Sequence, residues 1–511
     1  MRRAKLFVFF IVSFVLGALL FRFSIDSVFV YKQPIQKWVN TLKNWRPSSL
    51  DVFQEAEESP IQLTLLYTDS IKQVLNTFVE NSFDNGYLTA FEKKKMPGKL
   101  VFNQDTLDIK FRLKGDYNDH RENNRWSYRI YLDKHQELLG LRTFSLQSPK
   151  TKGGLFEWLF YKALCQEGFI ALQYHFVSFN DNNYREGLYA LEESFDDALL
   201  VKANKNSGVI LKLDEQILID QLLLGNKNEL NYTRSDLFFI AKIECFKPNR
   251  VRKDEHLAIQ FSRGKQLLEG FRSGQLSLEE VFDVELTAQL FALADIMGTQ
   301  HGLMWKNVRF YFNETLDKLE LISYDAGAGW TFDDVMYNRW KNDKFYGLYA
   351  DKWFGLFFSD SKFVEHYWHY LKKYTNENWL STFEEKNHLE IVTNKQMLIG
   401  DDSYRENYLD YFNKNARMIR DKIAQRDKLN KTVKDYLFSA IKQIGTDSIT
   451  LLNNSFSDAY YYNSSTKDST LLIARKPNKI GTSVRVFNKS NVYDTISIHV
   501  QNQILKVQLK N

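Results

Sequence analysis

The sequence predicts an α+β protein: a mixed core, a separate C-terminal all-β domain of sandwich-like type, and an N-terminal transmembrane helix. Three observations predict it. Short strand-like stretches between residues 61 and 213 enclose one apolar helix pattern. Residues 215–290 and 331–427 carry helical spacing. Past Lys431, short alternating segments and polar turns follow one another to the C-terminus. At 511 residues, 44% apolar and 15% aromatic, the chain can fill two or three cores and is not disordered. Its seven prolines and 23 glycines argue against a collagen-like or linker-dominated architecture.

Taken in order, Arg2, Arg3 and Lys5 precede an apolar run from Leu6 to Phe21 with no small-residue cleavage pattern behind it. Residues 1–23 therefore read as an uncleaved, single-pass membrane anchor. The basic residues before the span favour an exported body, against the pull of Arg22, Lys32, Lys37, Lys43 and Arg46 beyond it. Residues 24–60 read as a juxtamembrane stalk with a short amphipathic helix. The core is expected over 61–427. Its strand segments are QLTLLYT, Lys99–Phe102, Leu107–Leu113 and Tyr128–Leu132, with a helix over Asp69–Asn81. Gly153–Gly168 reads as a buried helix with glycines at both ends. Tyr174–Phe179 and Gly187–Leu191 read as a hairpin about Asn180–Asn183. The small β domain is expected over 428–511: a helix, VKDYLFSAIKQIG, then the segments SITLLN, AYYYN, STLLIAR, SVRVFN, DTISIHV and QILKVQLK.

The net charge of +5 is spread along the chain, and Lys93-Lys94-Lys95 reads as a solvated turn. No basic stripe interleaves with aromatics, so nucleic acid is not an expected partner. Cys165 and Cys245 lie in unlike contexts; Cys165, in an apolar helical run, is expected to be a buried free thiol.

The chemistry concentrates between Ala294 and Trp330. A helical start leads to a polar loop with His301 and Asn307. A hairpin comes next, Val308–Phe312 and Leu319–Tyr324, and ends at Asp325 with Gly327 and Gly329 behind it. A hairpin returns to its start, so Asn307 and Asp325 can meet at one divalent cation, the plan of a phosphotransferase metal–phosphate site. The plainer reading is a turn in which Asp325 bonds nearby amides. Arg112 and Arg129 suit phosphate through their planar forks, or form ordinary salt bridges. His120 near Asp116 and Asp119 lacks the spaced partners of a metal site. Past Trp330, aromatics such as Phe332, Tyr337, Trp340, Phe345, Tyr346, Tyr349, Trp353 and Phe354 form either a packed core or a ligand-stacking platform.

In their order, RLKGDYNDHRENNRWSYRIYLD, LLGLRTFSLQSP, a Gly-flanked helix and HFVSFNDNNYREGLYALEES resemble the CotH family of spore-coat-type protein kinases. The resemblance runs from about Ile61 to Gly329. It implies an atypical kinase-like core that binds ATP with Mg²⁺ or Mn²⁺ and phosphorylates Ser/Thr or another hydroxyl. By the same resemblance, Asp325 is a metal-binding and catalytic residue, and Asn307 is the second metal ligand. Glu193 pairs with a phosphate-holding lysine, either Lys212 or Lys114. Lys212 is favoured, since a lone charge on an apolar strand needs a partner. The loop departs from the family pattern: no carboxylate lies close before Asn307, and Asp295 is too early. His301 takes that place as the catalytic base. The expected partner is a protein or glycan acceptor at the cell envelope. The alternative is a catalytically degenerate scaffold that grips such a partner with its aromatic helices and β domain.

Overall fold

The computed structural model describes residues 60–217, 235–341 and 351–436, apart from 123–124, 183, 328, 330 and 405–406, together with seven strands between 438 and 508. The chain divides into Met1–Ser59 and Pro60–Asn511. The expected anchor and stalk lie outside the described residues. Among the described residues, no helix is long and apolar enough to cross a membrane.

Seven strands close into a barrel: β1 (Gln62–Leu66), β2 (Met96–Phe102), β3 (Asp105–Leu113), β4 (Tyr128–Leu132), β5 (Thr143–Gln147), β6 (Tyr174–Asp181) and β7 (Arg185–Glu193). Their order is β1-β2-β3-β4-β5-β7-β6, and a parallel β1–β6 pairing shuts the ring. Alternation fills the interior: Ile109, Phe111 and Leu113 from β3 meet Tyr128 and Ile130 from β4 and Phe144 and Leu146 from β5. Helix α1 (Asp69–Asn85) adds Leu75, Phe78 and Val79 to that core. It runs past Asn81 to Gly86, whose φ of 85° ends it. Strand β5 carries no clear alternation, because its outward Ser145 and Gln147 are buried as well.

The outer face of β6 and β7 is not solvated. Phe176, Leu188 and Ala190 join a second core with helix α2 (Leu155–Gln166). After the short helix α3 (Asp197–Lys202) comes a four-stranded sheet in the order β11-β10-β8-β9. Its strands are β8 (Ile210–Leu213), β9 (Ile243–Cys245), β10 (Arg309–Asn313) and β11 (Lys318–Ile322). Helices α4 (Glu255–Arg272), α5 (Val284–Met297), α6 (Asp351–Phe358), α7 (Ser361–Tyr374), α8 (Glu377–Gly400) and α9 (Tyr408–Tyr436) complete this part. The rings of α6 are core. Trp353 packs on Phe238 and Phe357 at centroid distances of 4.8 Å each, and Phe291 sits among Phe354, Phe357 and Phe363. Trp353 and Phe354 are buried, so they offer no stacking platform; Phe345, Tyr346 and Tyr349 lie outside the described residues.

One ion pair ties the barrel to the α8–α9 turn. Arg125 grips Asp401 with both guanidinium nitrogens, at 2.7 and 2.8 Å, and the Leu188 amide donates to the same carboxylate at 3.1 Å. Burial pushes the Asp401 carboxyl up. The bonds from Arg125, Ser403 and Leu188 outweigh that and hold it below its usual value. A depressed folded value means that the stabilisation is present above the ordinary aspartate range and lost as pH falls through the folded value. Asp401→Ala is expected to cost about 2 kcal/mol, typical of hydrogen bonds to a charged group. Urea unfolding at pH 7 and in acid checks both statements: the wild-type advantage over the variant must shrink in acid.

Toward the C-terminus the sequence reading needs one correction. Helix α9 runs to Tyr436, and Phe438–Lys442 is strand β12 where a helix is expected. Pairing of Ala440 with Leu451 in β13 (Ser448–Asn453) overrides a local helical pattern. β12, β13 and β16 (Ser483–Phe487) form one sheet. β14 (Ala459–Tyr462), β15 (Ser469–Leu472), β17 (Thr495–Val500) and β18 (Gln503–Gln508) form another. Cys165 also departs from expectation. It is an exposed free thiol on α2, whereas Cys245 is buried, and burial raises its thiol pKa. Lys93 is not merely solvated but pairs with Asp116.

Candidate metal–phosphate site

The site is built on the chain as it leaves α5. Gly298, in the left-handed region at φ 65°, ends the helix, and a 3₁₀ turn over Gln300–Leu303 presents His301. The β10–β11 hairpin then returns the chain to this turn, with Phe310 facing Leu321 in register. It delivers Asp325 beside His301: the imidazole Nδ1 lies 2.6 Å from the Asp325 carbonyl oxygen and donates to it. Asn307 donates its Nδ2 to the His301 carbonyl at 2.8 Å. The three residues singled out from the sequence, His301, Asn307 and Asp325, thus form one bonded chain.

Each bond has a chemical consequence. With Nδ2 committed to a carbonyl, Asn307 Oδ1 is the atom turned to accept. With the proton on Nδ1, His301 keeps Nε2 as its basic nitrogen. Asp325 sits at φ 57°, a left-handed conformation that aspartate tolerates better than most residues. Gly327 follows at φ 56°, and a Cβ there would lie 3.2 Å from His301 Nδ1. Gly302 packs as closely on the other side, where a Cβ would approach Ala326 Cα at 3.1 Å. The glycines let the loop and the strand end touch.

The lysine–glutamate pair is not the expected one. Lys114 Nζ bonds Glu192 Oε2 at 2.7 Å and Gln147 Oε1 at 2.8 Å, with Lys114 and Glu192 both buried. Glu193 pairs instead with Lys202, and accepts the Gln173 amide at 2.7 Å. Lys212 lies 3.5 Å from Glu244 on the other sheet, a third exposed. The structure does not bring Glu193 and Lys212 together. Strand parity is the reason. Ser145 of β5 registers with Glu192, so Glu192 shares the outward face of Gln147, and a shift of one residue reverses the face.

Tyr324, immediately before Asp325, connects the two halves by donating its hydroxyl to Glu192 at 3.3 Å. Tyr161 donates to the same carboxylate at 3.5 Å. Burial, then the charges of Glu157 and Glu192, raises the Tyr161 and Tyr174 hydroxyls well above their usual pKa, so both stay protonated. Arg309, buried at the root of β10, lies over the Tyr324 ring at 5.2 Å. Burial lowers its pKa; Glu215, Tyr324 and Asp325 raise it, and Arg129 lowers it further. Arg129, of the expected phosphate residues, lies half-buried on β4 opposite Ser145, on the outward face that Glu192 shares. Arg112 is spent on Tyr131 and the Leu113 carbonyl. His120 bonds Ser127 at 3.0 Å.

Asn307 Oδ1 and the Asp325 carboxylate are hard oxygen donors of the kind Mg²⁺ and Mn²⁺ take. Among the described residues no three His, Cys, Asp or Glu side chains are placed to cage a metal. A cation here would fill its shell with phosphate oxygens and water, as Mg²⁺ does in phosphotransferase sites. The residues fit the group.

Sequence reasoning missed Glu192, Gln147, Tyr324 and Arg309. The adjacent acids Glu192-Glu193 were the available signal, but only the β5–β7 register chooses between them.

The family profile described as CotH kinase protein matches residues 111–429, more than half of the chain. The match begins inside β3 and ends inside α9, so it takes in both halves of the site. No curated protein matches the chain.

Proposed function

The chain belongs to the CotH kinase family, and from that premise we propose that it is a metal-ATP-dependent kinase that transfers a phosphoryl group to a protein Ser/Thr or another hydroxyl. The observation that carries this is the bonded chain Asn307–His301–Asp325, joined through Tyr324 to the Lys114–Glu192 pair. One element set would hold metal and the other would hold phosphate.

In this reading Asn307 Oδ1 and the Asp325 carboxylate hold Mg²⁺ or Mn²⁺. Bound there, the cation neutralises phosphate charge. Lys114, fixed by Glu192 and Gln147, positions the phosphates, with Arg129 and Arg309 adding positive charge at the cluster. His301 Nε2 takes the proton of the acceptor hydroxyl, the role that a carboxylate fills elsewhere in the family. Its Nδ1 bond to the Asp325 carbonyl fixes the tautomer this requires. We place the body at the cell envelope, exported behind the apolar segment Leu6–Phe21, with a protein or glycan as acceptor.

The experiment is ATP binding to the full-length protein by calorimetry, with and without Mg²⁺ or Mn²⁺, beside Asp325→Ala. Metal-dependent binding is expected. The variant should weaken it by at least about 100-fold, since losing even a group that only orients a metal ligand costs about 10- to 100-fold. Folded protein that binds no ATP with either metal would refute the kinase and leave the envelope scaffold.

A further inference from the structure

Helix α2 buries nine positions, and eight of them are apolar or aromatic. The ninth is Glu157, fully buried among Phe156, Trp158, Leu159 and Phe160. A carboxylate in such a place is costly unless a specific donor meets it. The donor is the Ala326 amide, 169 residues away in sequence, which lies 3.0 Å from Glu157 Oε1.

That amide belongs to the peptide unit between Asp325 and Ala326. The carbonyl of the same unit receives the His301 Nδ1 bond at 2.6 Å. The peptide is trans, so its carbonyl and amide point in opposite directions. One rigid plane is therefore held from both sides, by His301 on the loop and by Glu157 on α2. Holding the plane fixes ψ of Asp325, whose φ of 57° already lies in the left-handed region. With both dihedrals set, the direction of the Cα–Cβ bond that carries the carboxylate is set as well. Helix α2 makes a firm anchor. Phe156 packs against Tyr411 at 5.1 Å and Phe412 at 6.2 Å, and a Cβ on Gly329 would sit 3.2 Å from the Phe156 ring.

We propose that Glu157 is a positioning residue for the metal site: by accepting the Ala326 amide it completes, with His301, a clamp on the Asp325–Ala326 peptide that aims the Asp325 carboxylate. The inference rests on the kinase reading above and names a residue which that reading does not use. Glu157 touches no reacting atom. Its effect passes through a backbone hydrogen bond, so an acceptor oxygen at that point is the requirement and negative charge is not.

Two conservative variants separate these properties. E157Q keeps an acceptor oxygen at the amide and removes the charge. E157D keeps the charge and withdraws the oxygen by one methylene. Mn²⁺-ATP affinity is measured by calorimetry on the full-length protein, with thermal unfolding alongside. E157Q should stay within about threefold of the unaltered protein, while E157D loses about tenfold or more, the usual effect of removing a group that orients a metal ligand. Loss in E157Q would mean that the charge matters, as for a direct ligand, and would overturn the clamp. Retention in E157D would overturn it too. If the unaltered protein binds no Mn²⁺-ATP, the kinase reading itself fails, an outcome the variants cannot mimic.

Discussion

Lys114→Met should destabilise the protein by about 3–5 kcal/mol, because it strands the fully buried Glu192 carboxylate without its cation. The magnitude comes from asymmetry. An intact buried pair is worth little over an apolar replacement, but half of one leaves an uncompensated charge where water cannot reach. The double variant Lys114→Met/Glu192→Met should therefore recover part of the loss. Recovery will not be complete, since Gln147, Tyr161 and Tyr324 lose their partners in the pair, at about 1–3 kcal/mol for a buried polar group left unsatisfied. Urea unfolding of the two single variants and the double one gives the coupling energy directly. Both Lys114 variants should also lose ATP binding, and there the double variant should show no recovery. A single variant costing under about 1 kcal/mol would show that the pair is neither buried nor coupled in solution.

Asp295→Ala is expected to cost a similar amount and to damage the site at a distance. Asp295 is almost fully buried at the end of α5. It accepts the Met336 amide at 2.9 Å, the Gln300 side-chain amide and the Tyr367 hydroxyl. Arg339, itself bonded to Gln300, is the nearby cation. Burial raises the Asp295 carboxyl, and Arg339 with the three donors opposes that. Removing the carboxylate takes from Arg339 its strongest anionic neighbour, leaving Asp333 and Asp334, and releases the side-chain nitrogen of Gln300, the residue beside His301. The expected cost is about 3–5 kcal/mol, that of breaking a buried charged network. Metal-dependent ATP binding should weaken with it. Asp295→Asn, which retains one acceptor, should fall between. Unchanged urea stability in the alanine variant would refute the anchoring role.

The sequence placed Asp295 outside the catalytic loop, and the structure shows it holding the loop through the Gln300 side chain. His301, Asn307 and Asp325 were legible because loop, hairpin and strand end are consecutive, and a hairpin must return to its origin. The strands of the barrel were legible where one face was apolar, as in β3 and β4. β5 was not, because its second face, with Ser145 and Gln147, is buried as well. Glu157 was hidden by the opposite effect, a single acid inside an apolar helix pattern that reads as a core position.

By itself, then, the sequence determined the α+β composition, the family resemblance, the order of most elements and the meeting of His301 and Asn307 on the loop with Asp325 at the strand end. These depend on local periodicity and on short-range chain reversal. Only the tertiary structure decided that Lys114 pairs with Glu192 and not Lys212 with Glu193, that the α6 rings are core, and that α2 supplies Glu157 to Asp325. Each of those depends on strand register or on contacts between segments tens to hundreds of residues apart. A one-residue change of register reverses a side chain's face, and local pattern carries no record of that choice.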